Sequence, residues 1–159
     1  MKLLVAIDFS ELADRVILAA EKLAKTVKAQ VFLLHVIPPP SPIIDAPPEV
    51  EAFRPSEEIF RNKKFPPSSP LFDFPESTKL TEFAEQLQVS GIDTAIIVEQ
   101  NDEVTAIIEA SEKNGVDMIM LGSHGHGALF HLLIGSVSEG VIRRATCPVI
   151  IVPSKKRFR

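Results

Sequence analysis

A glycine-rich loop set between two short apolar runs limits this chain more than any other feature. From Val116 to Pro153 the sequence reads VDMIMLGSHGHGALFHLLIGSVSEGVIRRATCPVIIVP. Met118 to Leu121 is continuously apolar and stops at Gly122, which fits a strand covered on both faces, since a half-exposed strand would alternate. Glycine returns at Gly125, Gly127 and Gly135, with Ser123, Ser136 and Ser138 alongside. With no Cβ in the way, backbone N–H groups in such a loop approach an anion closely, and a helix starting near Ser136 turns its own N–H groups the same way. A phosphate is the natural occupant. Two better-known phosphate motifs are absent: there is no G-x-x-x-x-G-K-[ST], and Gly125-His126-Gly127 lacks the third glycine of a dinucleotide fingerprint.

The rest of the chain supplies a frame for that loop. Lys2 to Ile7 is a near-continuous apolar strand ended by Asp8-Phe9-Ser10, with Ser10 a helix N-cap candidate. Leu12, Val16, Ala19, Ala20, Leu23 and Val27 then fall on one helical face. Val31 to Ile37 is a second buried strand, so the chain opens with a β-α-β unit, whose right-handed crossover makes the strands parallel. Further on, Leu80, Phe83, Ala84 and Leu87 mark a helix closed by Gly91, and Thr94 to Val98 a third strand. Val104, Ile107, Ile108 and Ser111 mark the next helix, ended near Asn114-Gly115. Residues 117–122 are the fourth strand, Val137, Val141, Ile142 and Ala145 one face of the last helix, and Pro148 to Val152 the fifth strand. Five strands with four crossovers predict a single open parallel α/β sheet with helices on both faces.

Asp8 admits two readings. A carboxylate at the C-terminal end of a first parallel strand stands where open α/β sheets bind ligands, and accepts from an amino group or a ribose hydroxyl. It serves equally as an Asx turn or a cap for the following helix.

Gly122-Ser123-His124-Gly125, then nine residues, then Gly135-Ser136 resembles the nucleotide-binding signature of the universal stress protein family, Gly-x2-Gly-x9-Gly-Ser/Thr. The continuation SVSEGVIRRATCPVIIV is similar to that family's last helix and strand. Ala6-Ile7-Asp8-Phe9-Ser10-Glu11 resembles its first-strand segment, which favours the ligand reading of Asp8, and His35-Val36-Ile37 its second-strand end, where the residue matching Val36 contacts the base through its backbone. The resemblance implies a Rossmann-like fold of the adenine nucleotide alpha hydrolase type, with strand order 3-2-1-4-5. It implies a site for ATP, ADP or AMP formed by Ala6, Ile7, Asp8, Val36, Leu121, Gly122, His124, Gly125, Gly127, Gly135, Ser136, Val137 and Ser138. Strands one and four then become neighbours at the topological switch point, where ligands of such sheets bind. The sequence departs from the family at Gln100-Asn101-Asp102, where members often carry Gly-x-Pro, so the turn there is not carried over.

The resemblance spans residues 1–153 apart from an insert at about 38–75, and a basic tail follows over 154–159. Eleven of the thirteen prolines and five of the ten phenylalanines lie in the insert. The prolines exclude a central strand, while the aromatics argue for docking on the domain or on a partner. Ser56-Glu57-Glu58 could start a short helix there. The insert is read first as a packed connecting loop, and second as a ligand cover or a surface for a protein client. This second use, independent of nucleotide, is the alternative to a nucleotide-responsive stress or regulatory role.

Composition excludes other classes. A net charge of −4 points to neither nucleic acid nor anionic membrane. The apolar run from Leu3 to Ile7 is too short to span a bilayer. Cys147 is the sole cysteine, which suits a reducing, cytoplasmic location. Between Gly122 and Ser138 there is no Lys, Arg, Asp or Glu, so the loop is fitted for binding, with at most slow ATP hydrolysis and no assigned catalytic residue. Magnesium bridging the phosphates needs few protein ligands. His124, His126 and His131 lack an evident third partner for zinc, so no metal ligands are assigned. The apolar last strand, Pro148 to Val152, would expose unpaired backbone at an edge. The resemblance implies that it pairs with its symmetry mate in a homodimer.

Overall fold

The structure is a computed structural model, and it describes residues 1–38, 77–123 and 135–154. The described elements follow in order: β1 (Lys2–Ile7), α1 (Ala13–Val27), β2 (Gln30–Ile37), α2 (Ser77–Val89), β3 (Thr94–Gln100), α3 (Glu103–Asn114), β4 (Met118–Gly122), α4 (Ser136–Arg144) and β5 (Val149–Val152). The strands form one sheet of order β3-β2-β1-β4-β5, every pairing parallel. The expected fold class and order are both present.

The side-chain period of two sorts each strand between two cores. Leu3, Val5 and Ile7 of β1, Val31 and Leu33 of β2 and Met120 of β4 face α1 and α2. Leu4, Leu34, Ile119 and Leu121 face the other way, onto Ile107 and Ile108 of α3 and Val141 of α4. Leu4, Leu34 and Ile119 are fully buried, and each such side chain contributes about 1.5–3 kcal/mol relative to exposure. The chain walks from β1 to β3 in one direction with its helices on one face. It then returns past β1 to β4 and β5 with its helices on the other, as a single crossover hand requires when direction reverses. The reversal falls between β1 and β4.

Helix ends explain most differences from the sequence reading. Ser10 does not cap α1, which begins at Ala13 with Leu12 at the cap position. The Ser10 hydroxyl instead donates to Asp8 Oδ1 at 2.8 Å, and its oxygen accepts from the Leu12 amide at 3.3 Å, so a turn is inserted before the helix. The buried face of α1 is Ala13, Val16, Ile17, Ala20 and Ala24, a stripe one residue round from the expected one, with Ala19, Leu23 and Val27 only partly buried. Lys28 ends the helix in the left-handed region at φ 50°, donating its amide to Ala24 O, where a glycine would have announced the stop. Ile142 is 44% exposed, so it does not share the inward face of α4. The face of α2, Leu80, Phe83, Ala84 and Leu87, is as expected, and Gly91 and Gly115 take positive φ after α2 and α3. The Ser56 helix and the whole insert lie outside the described residues.

Side-chain bonds tie the helices together. Glu21 on α1 accepts from Lys25 Nζ at 2.7 Å and from the hydroxyl of Ser90, just beyond α2, at 2.8 Å. With Gln86 adding to these donors, its carboxyl is held down at about 2. On the other face, Arg144 of α4 donates to Thr105 Oγ1 of α3 at 3.1 Å.

Candidate functional site at the strand switch point

Parallel strands separate where the sheet reverses, and here the separation is visible in the register. β1 pairs with β4 from Leu3–Met118 to Val5–Met120. Among the described residues the ladder goes no further, although both strands continue to Ile7 and Gly122. On their outer sides the same strands stay paired to the end, Ile7 with His35 and Gly122 with Val152. Ala6-Ile7-Asp8 and Leu121-Gly122-Ser123 are therefore left without a ladder between them at the carboxyl edge, where the switch-point rule puts a ligand crevice.

Ala6 and Val36 pack against the α3/α4 core, and Leu121 is buried in it. Ile7 points the opposite way, into the α1/α2 core, so it offers the crevice only backbone; its carbonyl accepts from His35 Nδ1 at 3.0 Å. Asp8, the next residue of Ala6 parity, is half-buried, and its Oδ1 accepts from the Ser10 amide at 3.1 Å as well as from the Ser10 hydroxyl. The turn role open in the sequence is thus filled. A carboxylate offers about four acceptor positions, and a turn that orients Asp8 is compatible with a ligand role.

The described base of the glycine loop is tied by its own bonds. The Gly135 amide donates to Ser123 O at 2.7 Å. The Ser138 hydroxyl, at 3% exposure, donates to Gly122 O at 2.7 Å. Ser123 is locked on its far side, its amide donating to Val152 O at 2.8 Å and its Oγ accepting from the Ser154 amide at 3.1 Å. Gly135 stands at the cap of α4 with no side-chain cap bond, and Glu139 is the first residue whose amide bonds back to Gly135 O, at 2.9 Å. The amides of Ser136, Val137 and Ser138 precede that first helical bond, and a helix start of this kind attracts anions through its N–H groups and dipole. Ser136 is exposed and Val137 half-buried. Ser138, expected among the ligand residues, spends its hydroxyl proton on Gly122, leaving its amide for any anion.

His124, Gly125 and Gly127 lie outside the described residues, as do His126 and His131. Among the described residues no three His, Cys, Asp or Glu side chains gather as a metal site. Cys147 is half-buried ahead of β5, and burial pushes its thiol above the usual range.

Two residues just beyond strand ends take roles that the sequence reading did not give them. Phe9 holds φ at 57°, a region that bulky L-residues seldom enter. Its ring lies 4.6 Å from the His35 ring at 58° and 6.4 Å from Phe83, nearly parallel at 9°. No sequence signal marks a left-handed phenylalanine. Asp102 takes the place of the Gly-x-Pro turn: it caps α3, its carboxylate accepting from the Thr105 amide at 3.0 Å. An Asp just before a helical period is a legible cap signal.

Comparison with known proteins follows the same lines. A sequence profile described as the Universal stress protein family matches residues 1–153. The chain is similar to Universal stress protein MJ0577 of Methanocaldococcus jannaschii, 33% identical over 159 residues, covering 97% of this chain and 95% of that protein. A solved structure of MJ0577 superposes with a TM-score of 0.66 at 27% identity, covering 98% of this chain and 96% of that one. A universal stress protein from Archaeoglobus fulgidus in complex with dAMP has the same fold, with TM-score 0.62, 19% identity and coverage of 95% and 96%. So does a universal stress protein in complex with cAMP, with TM-score 0.63, 18% identity and coverage of 98% of each chain.

Proposed function

Because the chain belongs to the universal stress protein family, we propose that the crevice between β1 and β4 binds an adenine nucleotide, ATP, ADP or AMP, in a stress-response or regulatory role. The observation that carries this reading is the early end of the β1–β4 ladder, with Asp8 on one bank and the loop base and α4 start on the other. Two relatives of the same fold are complexes with dAMP and with cAMP, which supports an adenylate over other anions. Asp8 would accept from the purine amino group or a ribose hydroxyl, and the amides of Ser136, Val137 and Ser138 would face phosphate. His124, Gly125 and Gly127 would complete the phosphate side by their place in the signature, with Mg2+ bridging phosphate oxygens. The absence of ionisable side chains other than histidine between Gly122 and Ser138 suits holding a nucleotide and turning it over slowly at most.

Calorimetric titration of ATP, ADP and AMP, with and without Mg2+, tests the reading on wild type and on Gly122→Val. Binding by wild type that weakens at least about tenfold in the variant is expected, since a branched side chain at the crevice wall removes close backbone approach. Equal and negligible heats in both proteins would instead leave a nucleotide-independent interaction role.

We further propose a homodimer that adds a second copy of β5 along its outer edge. β5 is the last strand of the sheet on that side, and such an edge invites pairing. Light scattering at micromolar concentration should return twice the mass of 17.5 kDa; a monomer would refute it. No described helix is long and apolar enough to cross a membrane, and the cytoplasm is the proposed location.

A further inference from the structure

We propose that Phe9 is a positioning residue for the nucleotide site: its ring, anchored between His35 and Phe83, holds the left-handed backbone that presents Asp8 to the crevice. The inference rests on the adenylate reading of Asp8 and adds to it how that carboxylate is aimed. Phe9 and Asp8 are neighbours with opposite duties. Ile7, before them, is buried in the α1/α2 core, and Phe9 packs against that same core. Asp8, between the two, has the parity of Ala6, which packs toward α3 and α4.

A reversal at one residue accomplishes this division. At φ 57° the chain at Phe9 turns back, so that both the Ser10 amide and the Ser10 hydroxyl reach Asp8 Oδ1, at 3.1 Å and 2.8 Å. A non-glycine residue holds such a conformation only where its surroundings over-determine it. Here the surroundings are two rings from two elements, His35 of β2 at 4.6 Å and Phe83 of α2 at 6.4 Å. His35 is itself fixed by its bond to Ile7 O, the carbonyl one residue before Asp8. Ring, imidazole and carbonyl therefore close a circuit around the end of β1, and the carboxylate that stands there is Asp8. Alanine removes the ring and keeps the steric cost of positive φ, whereas glycine removes the ring and that cost together; a backbone held by the ring should loosen in both.

ADP titrations on wild type, Phe9→Ala, Phe9→Gly, Asp8→Ala and the Asp8→Ala/Phe9→Ala pair test this, together with amide hydrogen exchange at Ser10 in the absence of ligand. Phe9→Ala should bind ADP about tenfold more weakly, and Phe9→Gly, which lacks the ring as well, should also bind clearly more weakly than wild type. Phe9→Ala should cost nothing further once Asp8 is alanine, the non-additivity expected of residues acting through one another. Ser10 exchange should quicken in both Phe9→Ala and Phe9→Gly. Wild-type affinity in Phe9→Ala or in Phe9→Gly, or losses that multiply in the pair, would each overturn the proposal. If Phe9→Ala does not fold, Phe9→Leu, which keeps apolar volume without the flat ring, takes its place. If wild type binds no adenylate at all, the nucleotide reading falls, and the Ser10 exchange rates still decide whether Phe9 fixes the Asp8 turn.

Discussion

At Gly140 the backbone of α4 comes so near α3 that a Cβ would stand 2.7 Å from Val104 Cγ2 and 3.2 Å from its Cγ1. Alanine there would gain up to about 1 kcal/mol of helix propensity. Against it stands overpacking, typically about 1–3 kcal/mol, and Val104 yields little because a β-branched side chain is stiff at χ1. Gly140→Ala should therefore lower stability by about 1 kcal/mol, measured by urea unfolding, and adding Val104→Ala should return part of the loss. Single residues are also where sequence was least legible. Asp8 could be read as turn or as ligand, and only the folded chain shows its Oδ1 accepting from Ser10. Ser138 was legible as part of a motif but not as the staple to Gly122 O, since that bond joins residues sixteen apart through a shape the sequence does not spell. Phe9 carried no signal because positive φ is announced by glycine or asparagine, not by an aromatic ring.

Elements were read far better than their ends. The inward residues of α2 are those its period picks out, and β1 has the expected bounds, because burial patterns persist over many residues. Ends depend on one or two local bonds, so α1 starts late, behind the Asp8–Ser10 turn, and closes on Lys28 without a glycine. The start of α3 offers a test at this scale. Asp102 accepts from the Thr105 amide, its carboxyl is held below the usual 3.8 chiefly by that backbone bond, then by the Thr105 side chain, with Arg144 adding to the effect. A lowered folded-state value means that the contribution is full above about pH 4 and fades as pH falls through the folded value. Asp102→Ala should cost about 1 kcal/mol at pH 7. The gap between variant and wild type should narrow towards pH 2 in parallel denaturant titrations; a gap unchanged with pH would refute the charged cap.

For the whole molecule, parallel order β3-β2-β1-β4-β5 was legible as a class from five apolar runs separated by helical stretches, and as an order only through resemblance, since hydropathy does not say which strands are neighbours. The proposed ligand should act at this scale too. It would bind residues from both halves of the chain, Asp8 and the 135–138 segment, which share a site only in the folded state. At a hundred times its Kd such a ligand adds about 2.7 kcal/mol, and a domain of this size should melt roughly 5–10 °C higher. A scan with ATP and Mg2+ that leaves the transition unmoved would contradict nucleotide binding. The two bonds across the loop base, Gly135 amide to Ser123 and Ser138 hydroxyl to Gly122, carry a last consequence. Both use backbone oxygens at the end of β4 to hold the start of α4, so these two ties set how far apart the strand end and the helix start can stand.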